Sequence, residues 1–330
     1  MLRSVLVMAV LACSSTVSAQ EWAEKMFADR NHDFGAVPRD AKTEYEFVLT
    51  NLYAGDVHIS SVSASCGCTQ PRIAKQTLKS REKGAIIAAF NTRTFTGQHS
   101  ARLTVTIDKP KFAQIELQVR GYIRTDLVLE PGLVNLGSVN EGSTAAKKIR
   151  IEHFGNSDWK INDVTTESPF LTASVEESAR GGGRVAYDLA VQLKDGAPAG
   201  YVKDQVFITT NDQRTPKLPV DVEGMIVAPL TVSPTSLTLG AIEPGQKITK
   251  QIVIKGTKPF KILEIRCDDD AFTFGTPSES KAVHLLPVTF QASDASGQIS
   301  QSIEIVTDMD DHRAVTSSAR GQIGAPLAGK

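Results

Sequence analysis

The residues best equipped for chemistry are cysteines, and two of them share one short loop, Ser65-Cys66-Gly67-Cys68-Thr69-Gln70-Pro71. Cysteines at i and i+2 can point to one side of an extended chain, and Gly67 permits a tighter turn. Three chemistries are open to such a pair: a small local disulfide, a two-thiolate copper clip, or two unpaired buried thiols. A ring that small is usually strained, so it reduces more readily than a long-range structural bridge. Inside the motif no histidine or methionine stands ready to complete a copper site. Cys267 lies beside Asp268-Asp269-Asp270, either as a small buried apolar residue or as a thiol that pairs with another chain.

The other candidates read as framework. Six histidines, His32, His58, His99, His153, His284 and His312, show no His-x-x-x-His or Cys-x-x-His metal spacing. His153 and His284 fall in strand-like runs. Neither a Gly-x-Ser-x-Gly elbow nor a phosphate-binding Gly-rich loop is present, and Gly181-Gly182-Gly183 reads as a hairpin turn. Asp268-Asp269-Asp270 and Asp308, Asp310 and Asp311 resemble calcium ligands, yet in sandwich order they belong to opposite ends of a domain. No catalytic residues, no cofactor and no metal are therefore expected, with Cys66 and Cys68 as the alternative metal ligands. The net charge of −1 over 330 residues gives no basic footprint for nucleic acid or anionic membranes.

Such candidates must be positioned by a repeated element. Phe34-Gly35-Ala36-Val37, Leu136-Gly137-Ser138-Val139 and Leu239-Gly240-Ala241-Ile242 share one pattern, their glycines 102 and 103 residues apart. Ile59-Ser60-Ser61-Val62, Ile161-Asn162-Asp163-Val164 and Ile262-Leu263-Glu264-Ile265 recur at the same period, and Val119-Arg120-Gly121, Val222-Glu223-Gly224 and Ala319-Arg320-Gly321 close the units. Within each repeat, apolar residues alternate with polar ones, as in Tyr45, Phe47 and Leu49 or Tyr187, Leu189, Val191 and Leu193. Period two means one buried and one wet face. About seven short strands per ~100 residues predict an all-β chain of three tandem immunoglobulin-like antiparallel β-sandwich domains.

The expected domains are 20–123, which carries the Cys-Gly-Cys loop, then 124–226 and 227–323, with a disordered tail over 324–330. Strand-like residues run from one repeat nearly into the next, which predicts a semi-rigid rod with proteolytic cuts near 122–128 and 225–230. Residues 1–19 read as a cleaved signal peptide: Arg3, the apolar run Val5–Leu11, then Val17-Ser18-Ala19, with cleavage between Ala19 and Gln20. The alternative is a lipobox, Val10-Leu11-Ala12-Cys13, leaving a chain lipid-anchored at Cys13. No segment of the mature chain is long and apolar enough to cross a bilayer as a helix.

The Leu/Phe-Gly-x-Val opening, the Ile-x-x-Val strand and the closing Gly resemble the immunoglobulin-like repeats of the abnormal-spindle, hydin and major-sperm-protein group. More narrowly, Ser65–Pro71 after Asp33-Phe34-Gly35 and Asn51-Leu52 resembles a bacterial exported family of unknown function whose hallmark is a Cys-Gly-Cys-Thr loop. That narrower likeness covers roughly residues 30–123, and repeats two and three lack the loop. The resemblance implies fold, export and a non-catalytic tendency.

Together these features predict a periplasmic or extracellular non-enzymatic structural or binding protein, of adhesion or scaffold type, whose partner is a protein or glycan of the cell envelope. The rival is a redox-active or copper-handling envelope protein using Cys66 and Cys68. Cys68 stands nine residues after Ile59, as Phe170 does after Ile161, while Phe272 stands ten after Ile262. A local disulfide is thus expected to fill the place where the sister repeats insert an aromatic plug.

Overall fold

The computed structural model describes residues 20–275, 277–310 and 313–324. The expected signal peptide with Cys13 and Ala19, the expected tail beyond Gly324, and Asp311 and His312 lie outside the described residues. The fold is all-β, a tandem of immunoglobulin-like antiparallel sandwiches, with one helical turn, Glu21–Glu24, among the described residues. The chain packs as two compact units. Among the described residues, one comprises the chain from Gln20 through Gly137 with Thr144–Asp195 and Tyr201–Gly224; the other comprises Ser138–Ser143, Gly196–Gly200 and the chain from Met225 through Gly324.

The first unit holds one sandwich and most of a second, and the two share a strand. Ala113–Glu130 is 18 residues long and alternates buried and exposed positions along most of its length. Its first part pairs with Gly97–Lys109 (Leu103 opposite Leu117) and, in parallel, with Asn31–Arg39 (Asn31 opposite Gln118). Its last part pairs with Ala145–Phe154 (His153 opposite Leu127). Position 123, where the sequence places a domain boundary, lies inside this unbroken strand.

In the first sandwich the facing sheet is Glu44–Thr50, Lys83–Phe90 and Thr69–Ile73. In the second it is Ile161–Thr166, Gly200–Thr210, Lys217–Val227 and Val134–Asn140. Phe47, Leu49, Ile59, Leu103, Ile115 and Leu117 are fully buried between the first pair of sheets. Each contributes about 1.5–3 kcal/mol of apolar burial. The two sandwiches also meet through polar contacts: Lys42 pairs with Glu223, Lys203 with Glu46 at 2.6 Å, and the Lys42 N–H donates to the Gly132 carbonyl at 3.0 Å.

The second unit has two four-stranded sheets. One runs Leu230–Ser233, Lys247–Phe260, Lys281–Gln291, Phe272–Phe274; the other runs Ser236–Ile242, Ala314–Ile323, Gly297–Thr307, Ile262–Arg266. Ile252, Ile254, Phe260, Leu286, Val288, Ile303 and Ile305 are fully buried in its core.

The repeat's landmarks are physical partners. Gly35, Gly137 and Gly240 have φ of 66°, 70° and 84°, a left-handed kink that β-carbon-bearing residues resist. Asp33 and Asn135 brace two of these kinks, accepting the N–H of Gly35 at 2.9 Å and of Gly137 at 2.8 Å. Against each kink lies the repeat's closing glycine. A β-carbon on Gly121 would meet Phe34 Cβ at 3.0 Å, one on Gly224 would meet Leu136 Cβ at 2.9 Å, and one on Gly321 would meet Leu239 Cβ at 2.9 Å.

Gly224→Ala is therefore expected to destabilise the first unit by about 1–3 kcal/mol, the usual cost of overpacking a closed contact. Gly55→Ala, whose new methyl meets nothing within 4 Å, should stay within about 0.5 kcal/mol of the parent. Urea unfolding of the two variants checks this, and equal losses would refute the contact's role.

Candidate functional site

The Cys-Gly-Cys loop sits where the chain crosses between the two sheets of the first sandwich. Strand Val57–Ala64 pairs with Gly97–Lys109, ending with Ala64 opposite Leu103. Ser65 prolongs that ladder: its N–H donates to the Arg102 carbonyl at 2.9 Å and its Oγ accepts the Arg102 N–H at 3.0 Å. Four residues later Thr69 is already in the opposite sheet, facing Phe90. The Asn91 N–H, donating to the Cys68 carbonyl at 2.8 Å, fixes that landing.

Across Gly67 the two sulfurs come within bonding range, with Cα atoms 5.3 Å apart. Cys68 is fully buried in the core, and Cys66 packs half-buried against it. The Cys68 N–H points at Cys66 Sγ at 3.0 Å, and the Thr69 hydroxyl lies 3.9 Å from Cys68 Sγ. Phe95 lies over the loop, its Cζ 3.8 Å from where a Gly67 β-carbon would stand.

Sequence spacing missed the third polar group. His99 stands 31 positions after Cys68, in strand Gly97–Lys109 beside the Cys68 corner. One of its ring nitrogens and both sulfurs lie within 4.8 Å of one another. The ring packs edge-on against Phe95, centroids 5.2 Å apart, and its Nε2 is 2.9 Å from the Thr96 carbonyl. A carbonyl only accepts, so Nε2 carries a proton at this contact. Two sulfurs and one imidazole nitrogen form a set that can hold a soft metal ion. No local motif signals it, because strand pairing alone brings position 99 to the loop.

The sheet ladder also corrects the proposed plug. The Cys68 carbonyl accepts from Asn91, the Phe170 carbonyl from Lys194 and the Ala271 carbonyl from Gln291. The equivalent of Cys68 is thus Phe170 in the second repeat but Ala271 in the third. Phe272 stands one step further on, opposite Phe290, where Thr69 stands opposite Phe90.

A second polar cluster lies around Arg124, which is buried at 1% exposure. Its Nε and Nη2 donate to the two oxygens of Asp126, each at 2.8 Å, and its Nη1 donates to Asp212 and to Thr215 Oγ1. The hydrogen bond from Arg124 holds Asp126 down at about 2 against its burial. Burial pushes Asp212 up, but the backbone N–H of Arg214 and the Arg124 side chain outweigh it and leave it lowered. Burial also pushes the imidazole of His153 down, so it stays neutral beside the guanidinium. Both carboxylates are engaged by the arginine, so the cluster serves as an electrostatic tie.

The remaining candidates are dispersed. His284 is buried and its Nε2 donates to the Phe260 carbonyl at 2.8 Å. Gly181–Gly183 makes the turn between Leu171–Gly181 and Arg184–Leu193. Asp308 accepts the Lys261 N–H and Asp310 pairs with Lys258, whereas Asp268–Asp270 follow the far end of Ile262–Arg266. Cys267 belongs to the second unit, partly buried against its core, and burial pushes its thiol up. Gln20 is the first described residue and precedes the helical turn.

Residues 26–123 match the model of a family described as protein of unknown function, DUF1573. No curated protein matches the chain. Among solved structures it is similar to a protein of unknown function from Porphyromonas gingivalis W83, 18% identical, covering 61% of this chain and 98% of that one, TM-score 0.26. It is also similar to the I67–I69 fragment of the titin I-band, 9% identical over 91% of this chain and 98% of that one, TM-score 0.23. A third is the mouse clustered protocadherin fragment PcdhgC3 EC1–3, 9% identical over 82% of this chain and 89% of that one, TM-score 0.28. Scores this low carry no functional weight.

The electrostatic tie predicts a pH signature. Asp126 is depressed from 3.8 to about 2, so its stabilisation is complete above about pH 4 and is lost as pH falls toward about 2. The loss is on the order of 2 kcal/mol. Urea midpoints of the parent should fall over that window by more than those of Asp126→Asn, and parallel pH profiles would refute the tie.

Proposed function

We propose that this chain is an exported, non-enzymatic structural or binding protein of the cell envelope. One observation carries the reading: the first two sandwiches are tied into one body. A strand of 18 residues runs through both, and a buried arginine braces its downstream half. Enzymes that close over a substrate by moving whole domains need a hinge between them, whereas a presenting surface gains from the loss of one.

On this reading the domains are 20–123, 124–226 and 227–323, preceded by a signal peptide cleaved between Ala19 and Gln20. The first domain is of the exported Cys-Gly-Cys-Thr type, and Cys66 and Cys68 form a local disulfide that closes the sandwich end. The partner is a protein or glycan of the envelope, met by sheet faces that carry side chains such as Tyr201 and Leu285, exposed at 60% and 54%.

A second reading, a redox-active or copper-handling protein, is favoured by the His99 ring beside the two sulfurs. Affinity capture on the tagged chain from its native envelope separates the two. The scaffold reading expects one reproducible protein or glycan, retained when Cys66 and Cys68 are both changed to alanine. Catalytic dithiol turnover that vanishes in the same double variant would overturn it. Alkylation of the folded, air-exposed, metal-free chain is expected to label neither Cys66 nor Cys68, and labelling of both would defeat the disulfide.

A further inference from the structure

The Cys-Gly-Cys corner carries more than a closure. We propose that, once reduced, Cys66, Cys68 and His99 form a binding site for Cu(I). This deepens the second, copper-handling reading and rests on it, while the scaffold reading stands or falls separately.

The donor set points to the metal. Two thiolates and an imidazole nitrogen are soft and borderline ligands, and among the described residues no carboxylate joins the group. Zinc in a closed protein site takes four ligands, while Cu(I) is satisfied by two or three soft ones. The three donor atoms already lie within 4.8 Å of one another, so small shifts bring them around one ion. The Thr96 carbonyl holds the proton on Nε2 at 2.9 Å. That is the outer contact by which a ligating histidine is kept in one tautomer.

The surroundings suit thiolates. The Cys68 N–H is 3.0 Å from Cys66 Sγ, and the Thr69 hydroxyl, 3.9 Å from Cys68 Sγ, can donate to a thiolate that can only accept. Phe95, packed against both the loop and His99, places an apolar cover beside the donors. Such a shell limits solvent access and favours a low-valent, weakly hydrated ion.

The redox step balances with a dithiol reductant. It delivers two electrons and two protons to the Cys66–Cys68 bond, which breaks to two thiols, while the reductant closes its own disulfide. Cu(I) then displaces both thiol protons to solvent and accepts a ring-nitrogen lone pair of His99. The oxidised loop offers no thiolate, so the site exists only after reduction. The disulfide gates the metal.

The test uses the whole chain in a Cys13→Ala/Cys267→Ala background, which removes the two competing thiols. After reduction with dithiothreitol and anaerobic desalting, Cu(I) is titrated in competition with bicinchoninate. The reduced chain is expected to take one ion and the oxidised chain none. His99→Ala, a half-buried position whose loss leaves the core intact, should weaken binding by about tenfold or more. X-ray absorption of the loaded parent should show two sulfur neighbours and one nitrogen, the nitrogen missing in the variant. Unchanged affinity in His99→Ala, equal binding by the oxidised chain, or a site that takes zinc in preference to Cu(I) would each overturn the proposal.

Discussion

The sandwiches depend on a contact between the two ends of each repeat. Period-two burial drives a strand-rich chain into two facing sheets, but it does not say how the first and last strands meet. Here they meet backbone to side chain: a left-handed glycine kinks the opening strand, and the closing glycine leaves room for the residue before that kink. Parallel pairing of Asn31–Arg39 with Ala113–Glu130, and of Ser236–Ile242 with Ala314–Ile323, runs through that contact. The recurrence of the two glycines at one period is thus a packing requirement. A β-carbon at the closing position would separate strands that the core needs adjacent.

In the first unit this geometry has a further effect. Because the last strand of the first sandwich continues as the opening edge of the second, the joint inherits sheet hydrogen bonding on both sides. Val128 pairs with Arg39 on one flank and Glu152 on the other. Ile123 and Leu127 are fully buried. Cleavage near 122–128, which a loose joint would invite, requires instead that this strand be peeled from its neighbours. Arg124 adds a charge that cannot leave without exposing Asp126 and Asp212 to each other. Breaking such a pair from one side costs more than the pair itself contributes.

Much of this fold was legible because alternation is a strong local signal. Phe47, Leu49, Leu189 and Val191 face inward by period alone, and all four are buried. The glycine landmarks were legible for the same reason, since backbone demands leave residue-type signatures. What stayed hidden were side-chain partnerships across the sheet. Arg124 reads as an ordinary polar residue in an alternating strand until the turn at Asp212–Thr215 folds over it. His99 carries no spacing relation to Cys68, and the one-step shift that replaces Phe272 by Ala271 appears only in the ladder of hydrogen bonds.

The position of the Cys-Gly-Cys loop explains why chemistry could settle there without disturbing the sandwich. A chain crossing between sheets must leave its ladder for a few residues, as this one does between Ala64 and Thr69. In the second repeat Phe170 occupies the place of Cys68, so volume alone can serve the corner there. The first repeat places a smaller, polarisable atom in the same position and sets a histidine against it from the neighbouring strand. Packing is maintained by Cys68 at the core while Cys66 and His99 stay within reach of solvent. A single corner can therefore hold the fold and present two sulfurs and an imidazole, because the buried and the accessible donors are different residues.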